Sequence, residues 1–233
     1  MSLDFFQDHP HACSYLEHRL ARNIYPDPAK KPDKKLYNHL IQHGFRRSGD
    51  HIYRPLCPNC QSCIPVRIDV NAFQFNRSQR RCWKQNADLS MKIKPAEFNE
   101  EHFDLYCYYL AKRHANGGMD NPSIDNYKNF LLSSWCDIGF LEFRLQDKLV
   151  AVAVTDFVFD GVSAFYTFFD PDLNKRGLGT FAILKQIELA KNYGLSWLYL
   201  GYWIKESNKM NYKSHFSGLE HYHLGWQKVD KKL

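Results

Sequence analysis

Between residues 138 and 169 the chain reads "IGFLEFRL", "LVAVAVTDFVF" and "VSAFYTFF", three apolar runs rich in β-branched and aromatic residues. Only turn residues separate them: Asp147-Lys148 after the first run and Asp160-Gly161, a strong hairpin signal, after the second. Three strands in succession then open into a charged, glycine-bearing stretch, "DPDLNKRGLGT". A helix is predicted next from Thr180 to Tyr193, closed by Gly194, and after it a strand over "LSWLYLG". Upstream, Glu100 and Glu101 suit the N-terminal dipole of a helix whose Phe103, Tyr106, Cys107 and Leu110 make one apolar stripe. Ser123 is placed to cap a further helix bearing Tyr127, Phe130 and Leu131.

The order is helix, helix, three antiparallel strands, Gly-rich turn, helix, strand. It is the skeleton of an N-acyltransferase fold of the acetyltransferase type, so the expected class is α/β (α+β) with a GNAT-like C-terminal domain. In such folds the turn's amides, at a helix N-terminus, hold the donor's phosphate. Here the turn is Asn174-Lys175-Arg176-Gly177-Leu178-Gly179, with Asn174 where acetyltransferases usually carry Gln or Arg. That departure weakens a coenzyme A reading. The stretch also reads as a solvated loop whose glycine caps a helix.

A length of 233 residues permits one large domain or two modest ones. "SMKIKPAEFNEE" (90–101) reads as a connection, which divides the chain into a smaller cysteine-bearing domain, 1–92, and the acyltransferase-like domain, 93–233. In the first domain a Pro- and Lys-rich loop, "YPDPAKKPDKK" (25–35), leads into a short helix. Leu36, Leu40 and Ile41 share its face and Gly44 is placed to end it. "IPVRIDV" (64–70) reads as a strand and "NRSQRRCWKQNAD" (76–88) as a helix or basic loop. If it is helical, Arg77, Arg80, Arg81 and Lys84 share one face, with Trp83 among them. A basic face with an aromatic suits a phosphate backbone, although a bare charge run is more often only a solvated face. The net charge of +6 leans the same way.

"YRPLCPNCQSC" (53–63) packs Cys57, Cys60 and Cys63 into seven positions. With Cys13 folded back, four thiolates would satisfy tetrahedral zinc or an iron–sulfur cluster; three would fit a metal-free scaffold. Seven cysteines in a chain with no evident export signal argue for reduced thiols, a metal site or both, so a disulfide is the weakest reading. No apolar stretch approaches the ~20 residues that span a bilayer, so no membrane partner is expected and the cytoplasm is the expected compartment.

Past the Gly-rich turn the sequence becomes specific. "FYTFFDPDL", "LGTFAILKQIELAK" and "YLGYWIKESNKMNYKSHF", in that order, resemble the C-terminal half of the aminoacyl-tRNA–protein transferases. "HACSYL", "FRRSGDHIYRPLCPNCQSCIPVRI" and "RSQRRCWKQNADL" resemble that family's N-terminal domain. "RSQRR" and "RHANGGMDNPS" (113–123) are similar to the bacterial leucyltransferase branch, which moves leucine from leucyl-tRNA onto proteins beginning with Asp or Glu, marking them for degradation. The arginyltransferases carry Cys-x-Tyr-Cys where this chain has Cys13-Ser14-Tyr15-Leu16, so the second thiol of that pair is missing. Arginyl transfer, coenzyme A-dependent N-acetylation and non-catalytic RNA binding are the competing functions.

The resemblance implies partners and roles. An aminoacyl ester is already activated, so no cofactor is required, and positioning can supply up to ~7–11 kcal/mol of the acceleration. Asp156, in the middle of a strand, is the candidate anchor for the acceptor amine, because a carboxylate there is expensive to bury unpartnered; the alternative is a solvent-facing residue. Tyr166 and Tyr212 are candidates to relay a proton or order the peptide, against core packing for each. The acceptor's acidic side chain calls for a cation, drawn from Arg46, Arg47, Arg54, Arg67, Lys209 and Lys213. Arg77, Arg80, Arg81 and Lys84 would meet tRNA, with Lys175, Arg176, Gly177 and Gly179 at its acceptor end.

Overall fold

A computed structural model describes residues 3–113 and 122–229. Its fold is mixed α/β. The N-terminal strands are short: β1 (Phe5–Gln7), β2 (His11–Ala12), β3 (Leu20–Ala21) and β4 (Asn23–Pro26). Helix α1 (Lys34–Ile41) follows, started by Asp33, whose side chain accepts from the Leu36 amide. Then come β5 (Arg46–Ser48), β6 (His51–Pro55), β7 (Ile64–Asp69), α2 (Arg77–Gln85) and β8 (Leu89–Pro95). Helices α3 (Glu100–Arg113) and α4 (Ile124–Leu131) precede β9 (Ile138–Leu145), β10 (Lys148–Val158) and β11 (Gly161–Phe169). A 3-10 turn (171–176) leads into α5 (Leu178–Asn192), and β12 (Trp197–Trp203), β13 (Leu219–Tyr222) and β14 (Trp226–Lys228) complete the order.

One eight-stranded sheet, β14-β13-β7-β12-β11-β10-β9-β8, organises the molecule. Its neighbours are antiparallel except β11 and β12, which run parallel because α5 crosses between them. Alternation along the strands sends their side chains into two cores. On one face Phe140, Val152, Val154 and Phe168 meet Tyr106 and Leu110 of α3 and Tyr127 and Leu131 of α4. On the other, Leu141, Val150 and Ala153 meet Phe181 and Ala182 of α5, while Ile183, Leu184 and Ile187 cover Val66, Ile68 and Leu198. A four-stranded sheet, β1-β4-β6-β5, packs with α1 around Tyr37, Ile41 and Ile52, reaching Val158 and Tyr199 of the large sheet.

Several expectations stand and others change. The three central strands, the cap at Ser123 and the helix after the Gly-rich turn lie where their residues place them. The first turn is at Gln146-Asp147, where Gln146 takes the positive φ, rather than at Asp147-Lys148. The segment 90–101 is not a plain connection: its first half belongs to edge strand β8, paired along its length with β9. The division between 92 and 93 thus falls inside a strand. Strand β7, from the first half, lies between β12 and β13 of the second, because its alternating Val66 and Ile68 find their core only there. The six short N-terminal strands and the β13–β14 hairpin had no sequence signal long enough to read. Most of the branch-specific stretch 113–123, from 114 to 121, lies outside the described residues.

Candidate functional site

Strands β11 and β12 pair only over Gly161–Ser163 and Trp197–Tyr199 and then part. Each carries a bulge at the point of divergence. On β11 the register against β10 jumps from Thr155↔Ala164 to Val154↔Tyr166, leaving Phe165 as the extra residue. On β12 the register against β7 jumps between Tyr199 and Gly201, leaving Leu200 over. Bulges of this kind bend a strand and free main-chain groups. The carbonyls just before the two bulges are both taken by Arg46 of β5. Its Nη1 donates to Tyr199 O at 3.2 Å and its Nη2 to Ala164 O at 2.9 Å. Arg46 is only 7% exposed, and among the described residues no carboxylate pairs with it. Gly201, in the left-handed region at φ +77°, faces it. A Cβ there would stand 3.5 Å from Arg46 Nε.

The next residue meets the opposite environment. Arg47 and Asp156 are both fully buried. Arg47 Nε and Nη2 donate to Asp156 Oδ1 at 3.0 and 2.6 Å, Tyr37 OH donates to Oδ2 at 3.0 Å, and Ser163 Oγ lies 3.4 Å from Oδ2. Arg47 also reaches Leu131 O at 3.1 Å and lies over the Phe165 ring at 4.0 Å. Burial opposes the Arg47 charge, but Asp156 more than offsets it and holds the guanidinium above its ordinary value. Asp156, the expected amine anchor, is thus a buried carboxylate bonded to Arg47 and Tyr37. Its carboxylate is sealed and its acceptor sites are used within the fold. Arg47, one of the expected acceptor-binding cations, is buried in the same pair.

Of the remaining cations, Arg67 pairs with Glu220, with its Nη2 2.8 Å from Oε2, and its guanidinium lies between Trp197 and Trp226. Arg54 donates to His43 O at 2.9 Å and lies over Phe45. Lys209 is exposed. Lys213 is buried, its Nζ donating to Tyr202 O at 2.6 Å, on β12 beyond the divergence. Burial first, and the nearby Arg46 second, push the Lys213 ammonium down to about 7.

Two tyrosines lie near this divergence. Tyr166 of β11 is pushed up by burial, then by Tyr109 and Tyr106. Its ring meets Tyr109, Phe130 and Tyr106 edge-on. Tyr212 keeps 39% of its surface exposed, yet burial pushes its hydroxyl up to about 12; Tyr109 raises it further and Arg46 pulls it down. The structure thus brings Tyr166, Tyr212, Lys213 and Arg46 into one neighbourhood with Tyr109 of α3. Sequence reasoning missed Tyr109; an aromatic on a helical stripe signals only core.

Helix α2 confirms the spacing argument. Asn76 and Gln79 close a capping box, Gln79, Cys82, Trp83 and Asn86 face inward, and Arg77, Arg80, Arg81 and Lys84 all stand exposed. Its inner side docks on the Gly-rich turn. Gln85 Nε2 donates to Lys175 O at 3.1 Å, Asn86 Nδ2 to Arg176 O at 2.8 Å, and Cys82 Sγ approaches Gly177 O at 3.5 Å. Arg176 forms a two-point pair with Asp88, both bonds at 2.8 Å, so its guanidinium braces this junction. Lys175 is exposed beside it. Gly177 (φ +64°) turns the chain, and α5, with Gly179 in its first turn, starts with no side-chain cap.

The thiols of Cys13, Cys57, Cys60 and Cys63 line one cavity of about 180 Å³, with Tyr15, Tyr53 and Tyr202. They are free, and among the described residues no three ligand-type side chains are gathered to hold a metal ion. Cys63 is pushed up to about 12 by burial and then by its neighbouring thiols. Cys60 is lowered, first by the Ser62 amide, with Arg19 Nη1 3.2 Å from its sulfur. As arranged, the four do not form the tetrahedral set that their spacing allows.

Residues 11–81 match the N terminus, and residues 101–223 the C terminus, of the arginine-tRNA-protein transferase family. The chain is 49% identical over 219 residues to an aspartate/glutamate leucyltransferase of Marinobacter nauticus, covering 94% of this chain and 92% of that one. It is 49% identical over 222 residues to the protein of the same name from Nitrosococcus oceani, covering 95% and 93%. The structure of L-PGS from Bacillus licheniformis covers 79% of this chain and 57% of that one at 13% identity, with a TM-score of 0.46, a likeness too remote to build on.

Proposed function

From the premise that the chain belongs to the arginine-tRNA-protein transferase family, we propose that the opening between β11 and β12 is where an RNA-borne aminoacyl ester and a peptide amine meet. The activity is leucyl transfer, from leucyl-tRNA to the N-terminal α-amine of proteins beginning with Asp or Glu, which leaves them with a destabilising N-terminus. The observation that carries this reading is 49% identity along 94% of the chain to an aspartate/glutamate leucyltransferase. The order of β9, β10, β11, α5 and β12 supports an acyltransferase fold of the acetyltransferase type, with the donor changed from coenzyme A to tRNA. Docking of α2 on the carbonyls of the Gly-rich turn favours that change, because it puts a basic helix where acetyltransferases hold a phosphate.

The exposed face of Arg77, Arg80, Arg81 and Lys84 grips the tRNA backbone, and Lys175 with the uncapped start of α5 receives its acceptor end. In the opening, the amine's lone pair attacks the ester carbonyl carbon. The C–N bond forms, the C–O bond to the ribose breaks, and the attacking nitrogen's proton passes to the ribose oxygen. About a tenth of α-amines are neutral at pH 7, so deprotonation is a modest demand and positioning supplies most of the rate. Tyr166 and Tyr212 are raised and stay protonated, which suits them to donate hydrogen bonds to the carbonyl oxygen or the leaving ribose oxygen. No step draws on a cofactor, and the donor places the enzyme in the cytoplasm.

The test supplies the protein with leucyl- or arginyl-tRNA and peptides beginning with Asp, Glu or Lys, and reads products by mass. Leucine on the Asp and Glu peptides alone is expected. Arginine incorporation, or acetyl transfer from acetyl-coenzyme A, would overturn the reading.

A further inference from the structure

We infer that Arg46 is the residue that reads the acidic side chain of the acceptor, its guanidinium receiving the Asp or Glu carboxylate at the crotch between β11 and β12. The inference rests on the leucyl-transfer reading and narrows six candidate cations to one.

The first ground is charge. A buried guanidinium without an anion is costly, and folded chains normally supply one. This chain does so for Arg47 with Asp156 and for Arg67 with Glu220. Among the described residues it supplies none for Arg46, which is 7% exposed and whose guanidinium donates there to two main-chain carbonyls. A nearby buried ammonium, Lys213, lies in the same neighbourhood, its proton affinity lowered by burial first and by Arg46 second. An incoming carboxylate completes the set.

The second ground is hydrogen-bonding capacity. A guanidinium has five N–H donors in a planar fork. Ala164 O and Tyr199 O take two, one from each Nη, so Nε–H and one hydrogen on each Nη remain. Those three lie along edges suited to a two-point carboxylate bond. The third ground is access. Gly201, held at φ +77° by the β12 bulge, has no side chain to lie over the guanidinium, whereas a Cβ would sit 3.5–3.7 Å from Nε, Cζ and Nη2. The two bulges therefore present the cation where the strands part, beside the tyrosines at the reacting centre. The competing explanation is a staple, in which Arg46 only ties the diverging strands and leaves recognition to other groups.

The experiment first establishes leucyl transfer by the unaltered protein to a peptide beginning with Asp; if that fails, the functional reading falls and Arg46 is not at issue. Arg46→Met and Gly201→Ala are then compared with wild type on peptides identical except for Asp or Asn at the first position. Arg46→Met should raise KM for the Asp peptide on the order of a hundredfold. Its Asp-over-Asn preference should fall to near one. Gly201→Ala should erode the preference in the same direction with Arg46 still in place. Equal loss on both peptides, with the Asp preference intact, would make Arg46 a staple and overturn the inference. Should Arg46→Met fail to fold, thermal shift of the wild type decides: the Asp peptide should raise Tm and the Asn peptide should not, whereas equal shifts would refute the assignment.

Discussion

Arg46 and Arg47 are adjacent on one short strand, and their surroundings diverge as far as two buried arginines can. Around Arg47 the chain has built a closed set: a carboxylate, a tyrosine hydroxyl, two carbonyls and an aromatic face. Around Arg46 it has built two bulged strands, two carbonyls and an opening. Both side chains are removed from water, so burial alone does not separate scaffold from site. The location of the counter-charge does. Where the fold itself holds the anion, the charge pair joins helix α4, β5 and β10; where the described residues hold none, the charge is left, on the inference above, for a ligand.

The largest expected effect breaks the closed side. Asp156→Asn leaves Arg47 buried without an anion, a loss of about 3–5 kcal/mol. Tm should drop on the order of 10 °C. Replacing both, as Arg47→Met with Asp156→Leu, should recover most of it. The molecules that remain folded should still turn over, and a normally stable Asp156→Asn protein with no turnover would return that carboxylate to the chemistry. A smaller effect probes the open side. Lys213 titrates near 7 when folded and near its ordinary 10.5 when unfolded, so between those values the unfolded chain binds the extra proton. Stability should therefore rise with pH through that window and be lowest, on this account, below pH 7. Denaturant titrations at pH 7 and 9.5 should show the rise in wild type and a flatter response in Lys213→Met; identical responses would mean that Lys213 stays charged in the fold. The smallest effect lies outside both. Neutralising Arg80 and Arg81 as Gln should leave stability near wild type and reduce the slope of log affinity for tRNA against log salt by about 1.5. An unaltered slope would move the tRNA elsewhere.

Much of this was legible in the residues. The central hairpins, the capped helices and the basic face of α2 follow from local spacing, because each is decided within a few residues of itself. The roles of Arg46, Arg47 and Asp156 were not. A strand alternates its side chains, so two adjacent arginines must face different surroundings, but which surroundings depends on partners more than a hundred positions away. Asp156 illustrates the point: a carboxylate in an apolar strand was rightly read as needing a partner, and the partner was a residue already assigned to another task. The thiols show the reverse case. Their spacing fits a metal, yet Cys60 has Arg19 beside it and the four line a cavity without converging.

Strand β7 lies against β12 on one side and β13 on the other, with Asp69 opposite Trp197 and Ile68 opposite Leu219. During synthesis it leaves the ribosome long before either flank exists. At ~5–20 residues per second it waits on the order of ten seconds with both edges bare. Its apolar side chains and unpaired amides must stay shielded through that interval, by the chain itself or by a chaperone. A nascent chain stopped before β12 would expose a ready template for pairing with its neighbours on the polysome.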